Sequence, residues 1–173
     1  MESMNTKRVT QSENFVGRHL LLDVKLRTTK GITETSRVYN ILENLSCLLD
    51  MTLVYPPIVG RFPWSANELE RFVGSLTKEG VQTTTVEQMR ELLKSRQKEE
   101  AGVSGICVWL ESHAAIHTWT EELFFSFDAY SCKEFDAHKA IDFLLPHFDV
   151  EAYNGLNIVR TMNEPQKIEV VSG

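Results

Sequence analysis

The sequence predicts an α+β fold, a two-layer sandwich in which helices cover one face of a mostly antiparallel sheet. Three observations predict it. Ile106, Val108 and Leu110 alternate with Cys107, Trp109 and Glu111, and over 122–131 Phe125, Phe127 and Ala129 alternate with Phe124, Ser126, Asp128 and Tyr130, the two-residue period of a strand. Residues 36–49 and 135–145 instead space their apolar side chains as one stripe of a helix does. The order of signals is strand, helix, strand, an inserted stretch, a hairpin, a helix and a last strand, which suits helices packed on one side of a sheet. That layering leaves the second sheet face open and argues for dimerisation through it or beside it. At 173 residues the chain is long enough for a single domain with a substantial core.

Taken in order, residues 1–15 read as a flexible tail and His19–Val24 as the first strand. A helix over Ser36–Leu49 carries Val38, Ile41, Leu42, Leu45, Leu48 and Leu49 as its apolar stripe. A second strand, Met51–Tyr55, stops at Pro56-Pro57, because proline cannot donate to a sheet ladder. The insertion then runs over 56–101. Ser65–Glu68 has the form of a capping box ahead of Leu69, Phe72, Val73 and Leu76, and Thr85–Gln88 repeats the signal ahead of Leu92 and Leu93. Two short helices are expected there, packed as a surface hairpin or serving as a lid. Ile106–Glu111 is the next strand, a break falls at Ser112-His113, and Ala114–Trp119 follows. Glu122–Ser131 presents Phe125, Phe127 and Ala129 on one side and Phe124, Ser126, Asp128 and Tyr130 on the other. A helix over Phe135–Leu145 closes at Pro146, and a last strand, Leu156–Thr161, precedes a polar tail.

Composition narrows the function classes. The chain is 42% apolar and 24% charged, as ordinary globular proteins are, and its net charge of -6 argues against nucleic acid or an anionic membrane as its partner. No apolar run approaches the roughly 20 residues of a membrane helix, and the polar N-terminal stretch lacks a signal-peptide core, so a cytoplasmic location is expected. Cys47, Cys107 and Cys132 are scattered and odd in number, which argues against a disulfide framework.

One block stands apart. Residues 102–121 crowd Ser104, Ser112, His113, His117, Glu111 and Glu121 around strand ends, and Cys132 follows at the end of the next strand. A hairpin would bring Cys132 near the Ser112–His117 turn, so that a hydroxyl, an imidazole and a thiol share one spot. Any of these alone is commonly structural: a turn serine, a satisfied core histidine, a buried cysteine. A zinc site on His113, His117 and Cys132 ranks low, because a spacing of four suits a helix and this segment reads as strand and turn. No metal is expected.

Gly102-Val-Ser-Gly105, the Glu-Ser-His-x-x-Ile-His-Thr-Trp-x-Glu run over 111–121, and the Asp128-x-x-x-Cys132 that follows resemble the bacterial and archaeal form of S-adenosylmethionine decarboxylase, a family made as proenzymes. Gly17-Arg18-His19-Leu20-Leu21 is similar to the family's first strand; the likeness is loose over 17–55 and good over 102–160. The resemblance implies a self-processing, pyruvoyl-dependent lyase. Ser112 would attack the Glu111 carbonyl, an N-to-O acyl shift would give an ester, and β-elimination would leave a β chain of 1–111 and an α chain of 112–173 capped by a pyruvoyl group. It further implies that His117 is the base for elimination, that Ser104 polarises the processing site, that Cys132 protonates the substrate carbon, and that Glu121 binds ribose hydroxyls. The residue types suit these tasks: imidazole exchanges protons near neutral pH, and a carboxylate accepts two hydrogen bonds. Decarboxylating an amino acid leaves charge on Cα, and a pyruvoyl carbonyl joined to the substrate amine as a Schiff base is an electron sink that replaces any external cofactor.

Two departures from the family pattern bear on substrate. Thr120 stands where the family has proline, and Lys98 stands where it has an adenine-stacking ring. Phe62 or Trp64, at the start of the insertion, could supply that ring, and the cationic run Lys94, Arg96 and Lys98 could face a carboxylate. The insertion is therefore expected beside the active-site mouth. S-adenosylmethionine is the first expected substrate, its decarboxylated product being the aminopropyl donor for spermidine synthesis in polyamine metabolism. Arginine or ornithine is the alternative, and an uncleaved, non-catalytic binding or regulatory protein is the reading from another class. A homodimer of processed units is the expected assembly.

Overall fold

The computed structural model describes residues 15–62, 70–71, 73–75, 78–80, 82–96 and 102–173. Strand β1 (Phe15–Leu26) leads to helix α1 (Thr35–Leu48) and strand β2 (Ile58–Phe62). Helix α2 (Thr83–Arg96) precedes three strands in succession, β3 (Gly102–Trp109), β4 (Ser112–Trp119) and β5 (Phe124–Ser131). Helix α3 (Ala137–Leu144), a 3-10 turn at Leu145–His147, and strands β6 (Val150–Thr161) and β7 (Lys167–Ser172) complete the chain. The strands make one seven-stranded sheet in the order β2-β3-β4-β5-β1-β6-β7, with every neighbouring pair antiparallel.

The two faces of this sheet differ, as strand periodicity demands. Leu20, Leu22 and Val24 of β1, Phe125, Phe127 and Ala129 of β5, and Ala114 and Ile116 of β4 are buried together with Val38, Ile41, Leu42 and Leu45 of α1 and Ala140, Ile141 and Leu144 of α3. Close approach of α1 explains a glycine in β3. A Cβ on Gly105 would stand 2.8 Å from a Val38 methyl and 2.9 Å from a Leu42 methyl, both in the buried core. Buried Ser46 joins the two layers: its hydroxyl donates to the Leu42 carbonyl (2.7 Å) and accepts from the Trp109 indole N–H (2.7 Å). Helix α3 starts at Asp136, whose carboxylate accepts from the Lys139 N–H at 3.1 Å, a regular N-cap.

The alternating partners on the other face carry His19, His113, His117, Ser104, Ser126 and Asp128, mixed with apolar groups that stay exposed, among them Ile58, Ile106, Ile168 and Val170. The sequence expectation of helices on one side and an open second face agrees with this arrangement.

Several element boundaries differ from the sequence expectation. Met51–Tyr55 is not a full strand. Leu53 makes a single bridge to Trp109, and two further bonds, Val54 N–H to the Val108 carbonyl and Leu110 N–H to the Thr52 carbonyl, tie the segment to the end of β3. The ladder position beside β3 belongs instead to Ile58–Phe62, past the two prolines, so the opening of the expected insertion is part of the sheet. β6 begins at Val150, earlier than expected, and β7 arises from the expected polar tail. Both are legible only weakly because β7 is an edge strand whose residues, save Val171, face water. The capping box at 65–68 and the tail at 1–14 lie outside the described residues. Among the described residues no helix is long and apolar enough to cross a membrane.

Candidate active site

Register determines what meets what. In the β3–β4 hairpin Trp109 pairs with Ser112, leaving Leu110-Glu111 as a two-residue turn. Such turns ordinarily take positive φ at their central residues. Here the positive angle falls on Ser112 itself, φ 153°, in a region that glycine tolerates and serine does not favour. A backbone of this kind costs on the order of 1–3 kcal/mol and persists only where its surroundings enforce it.

The surroundings do enforce it. The Glu111 carbonyl accepts from the Cys132 N–H at 3.0 Å, and the Glu111 carboxylate accepts from the Thr52 N–H at 3.1 Å. The segment 51–55 thus serves to hold the Glu111 side chain. Ser112 also pairs with Ser131 across β4–β5, which puts the exposed Cys132 beside the turn, as the sequence suggested. Lys133, next along, bonds to the Asp50 carboxylate at 2.7 Å, and this ammonium partner holds the Asp50 carboxyl below its ordinary range.

Three residues that the sequence reading did not assign complete this end of the sheet. Ser112 Oγ lies 3.1 Å from His113 Nδ1; His113 Nε2 lies 3.0 Å from one oxygen of Asp128; the other oxygen of Asp128 lies 2.7 Å from His19 Nε2. All are partly exposed on the open face. Their signal in the sequence was faint: His113 and Asp128 stand inside the motif blocks and His19 inside Gly17–Leu21, on three different strands whose adjacency follows only from the topology.

His117 is elsewhere. β4 is extended from Ser112 onward, without the expected break at Ser112-His113, so five residues of strand separate the two by about 16 Å. The single spot shared by hydroxyl, thiol and His117 imidazole is therefore not formed within one chain. His117 Nδ1 instead bonds to Ser104 Oγ across β3–β4, and its ring meets Trp119 edge-on at 4.3 Å. Trp119 packs on Phe124 at 5.2 Å, and both line a cavity of about 720 Å³ with Asp23, Lys25, Glu122 and Tyr153. Glu121 is exposed in the turn beyond. Ser104 and His117 thus make a second pair, apart from Glu111, Ser112 and Cys132, and Glu121 lies beyond them in the turn. Trp64 and Lys98 lie outside the described residues, as do the side chains of Phe62, Lys94 and Arg96.

Residues 64–161, more than half of the chain, match the family model described as S-adenosylmethionine decarboxylase. Among curated relatives, the S-adenosylmethionine decarboxylase proenzyme of Pyrococcus horikoshii is 36% identical over 67 residues, covering 38% of this chain and 48% of the relative. The arginine decarboxylase proenzyme of Aeropyrum pernix is 45% identical over 56 residues, covering 32% of this chain and 42% of the relative. The chain spans about half the length of the curated relatives it matches. Among solved structures, the adenosylmethionine decarboxylase from Aquifex aeolicus superposes with a TM-score of 0.58 at 17% identity, covering 89% of this chain and 98% of that one, a likeness of fold.

Proposed function

The chain belongs to the S-adenosylmethionine decarboxylase family, and on that premise we propose that it cleaves itself between Glu111 and Ser112 and uses the resulting pyruvoyl group to decarboxylate an amino-acid-type substrate, S-adenosylmethionine first. The observation that carries the reading is the Glu111–Ser112 junction: a serine in a strained conformation, with its hydroxyl on an imidazole and the preceding carbonyl held by a backbone N–H.

Cleavage starts with attack of Ser112 Oγ on the Glu111 carbonyl carbon. Negative charge gathers on the Glu111 oxygen, and the Cys132 N–H, already 3.0 Å away, is a preorganised donor for it. Opening of the C–N bond gives the ester and relieves the positive φ at Ser112. Elimination then removes the Ser112 α-proton and breaks the Oγ–Cβ bond, so that residues 1–111 leave with a free carboxylate; hydrolysis of the remaining enamine by water, with loss of ammonia, leaves pyruvoyl on residue 112. The pyruvoyl carbonyl supplies the electron sink for decarboxylation. Cys132, exposed beside it, is the donor that returns a proton to the substrate carbon.

His117 is the base assigned to elimination, and within one chain it stands too far from Ser112. Two copies resolve this. An isologous dimer formed through the open face sets residue i of one copy against residue j of the other and the reverse, so one contact completes two sites. In this reading the Ser104–His117 pair of one copy serves the Ser112–Cys132 end of its partner, and Glu121, Trp119 and Phe124 come with it as the substrate-recognition side. The aromatic pair beside the cavity is a ready platform for a flat base, where stacking contributes about 1–3 kcal/mol. Phe62 or Trp64 remains a proposed source of an adenine-stacking ring.

Arginine is the second reading, favoured by the 45% identity to the Aeropyrum pernix arginine decarboxylase proenzyme. A panel of S-adenosylmethionine, arginine and ornithine, read as carbon dioxide release, separates these. Release from S-adenosylmethionine alone is the expected result. Release from arginine alone replaces the first reading with the second, and an intact chain that releases none supports the non-catalytic alternative.

A further inference from the structure

We propose that His113, Asp128 and His19 form a three-strand relay in which His113 is the general base for the acyl shift at Ser112, while Asp128 and His19 position it. The inference rests on the self-cleavage reading and adds to it a base for the first step.

The three side chains come from adjacent strands β4, β5 and β1 and share the open face. His113 and His19 both sit opposite Tyr130, and Asp128 lies two residues along, diagonal to each. The contacts run Ser112 Oγ to His113 Nδ1 (3.1 Å), His113 Nε2 to Asp128 Oδ1 (3.0 Å), and Asp128 Oδ2 to His19 Nε2 (2.7 Å). An ionised carboxylate accepts and never donates. Both imidazoles therefore present an Nε2–H to Asp128, an assignment made from the partners. With its proton on Nε2, neutral His113 keeps a lone pair on Nδ1, aimed at the Ser112 hydroxyl. This is the logic of a serine–histidine–aspartate triad with the ring turned end for end. The Tyr130 ring packs against both imidazoles, edge-on to His19 at 5.6 Å and tilted to His113 at 6.3 Å, with the Arg160 guanidinium 4.8 Å from its centre.

The step balances. As the Ser112 Oγ–carbon bond forms, the hydroxyl proton moves to His113 Nδ1 and charge gathers on the Glu111 oxygen at the Cys132 N–H. As the C–N bond breaks, His113 gives the same proton to the Ser112 nitrogen. The products are an ester and an amine, with no proton gained or lost overall. His117 keeps the later elimination, so the two histidines of the motif divide two steps between them.

The test compares full-length variants by intact mass, with and without hydroxylamine, which cleaves an ester but not the unshifted peptide. Wild type processes. His113→Gln is expected to process about 100-fold more slowly, the usual contribution of a general base, with no hydroxylamine-labile species. His117→Ala is expected to stall with the labile ester present. His19→Ala slows processing at least tenfold, and His19→Gln, whose amide N–H can still reach Asp128, recovers most of it. As a readout that a merely structural role would not move, nitrogen NMR of the Ser112→Ala chain, which stays whole, is expected to show His113 with its proton on Nε2. Adding Asp128→Asn, whose amide can donate to His113, moves that proton to Nδ1. A His113→Gln chain that processes at the wild-type rate, or that accumulates labile ester, overturns the relay while leaving self-cleavage standing, as does an Nδ1-protonated His113 in the Ser112→Ala chain. A wild-type chain that never cleaves removes the self-cleavage reading and the relay with it.

Discussion

Glu111 and Cys132 show what single residues contribute. The Glu111 carboxylate is held by Thr52 and its carbonyl by Cys132, so the bond after it is fixed from two sides before any chemistry begins. Cys132 has two separable parts in the proposed reaction: its backbone N–H acts once per molecule, in processing, and its thiol acts in every turnover. Cys132→Ala keeps the N–H and removes the thiol. It is expected to process nearly as wild type and to lose decarboxylation about 100-fold or more, with part of the pyruvoyl converted to alanine by misplaced protonation. Normal turnover to the correct product in this variant would remove the thiol from its role. The other cysteines give a contrast. Cys107 is 1% exposed and burial pushes its thiol up, whereas Cys47 and Cys132 are exposed. Native alkylation is expected to label Cys47 and Cys132 and spare Cys107, since the thiolate is the reactive form; rapid labelling of Cys107 would contradict the packing described.

Among the elements, β4 matters most. It runs unbroken from Ser112 to Trp119, and its length keeps Ser112 and His117 apart. The sequence made β5, α1 and α3 legible, because each has one buried and one open face and so shows a clear period, whereas β3 and β4, expected as Ile106–Glu111 and, after a break, Ala114–Trp119, are Gly102–Trp109 and an unbroken Ser112–Trp119. It hid β7, which is nearly all exposed, and it hid the role of 51–55, whose backbone bonds to Glu111 and β3 leave no trace in residue type. Cys132 could be placed beside Ser112 from the hairpin alone. The relay of His113, Asp128 and His19 could not, because β1 lies next to β5 through a long-range pairing that no local pattern encodes. The packing of α1 on β3 is testable at this scale. Gly105→Ala drives a methyl against Val38 and Leu42 and is expected to destabilise the fold by about 1–3 kcal/mol. Urea unfolding of the Ser112→Ala background, where processing does not intervene, measures this; an unchanged midpoint would mean that α1 does not approach β3 so closely.

At the scale of the whole molecule, the proposed sharing of sites between two copies rests on the open sheet face. It carries the side chains of His19, His113, His117, Ser104 and Asp128 among exposed Ile58, Ile106, Ile168 and Val170, a mixture that suits the proposed cover by a second copy. Complementation tests the sharing of sites. Ser112→Ala has no cleavable serine and His117→Ala has no elimination base, and neither is expected to process fully alone. Co-expressed, the Ser112→Ala copy supplies His117 to its partner, and the His117→Ala chain is expected to cleave in mixed dimers. Failure to cleave in dimers shown to be mixed would confine each site to one chain.

The claim beneath all of this is that the bond between Glu111 and Ser112 breaks by itself, and intact-mass measurement of the purified wild-type chain tests it most directly. The account predicts two fragments, residues 1–111 ending in a free carboxylate and residues 112–173 without a free N-terminal amine, while Ser112→Ala stays whole. A wild-type chain that remains intact after long incubation, or that cleaves at another bond, would contradict it.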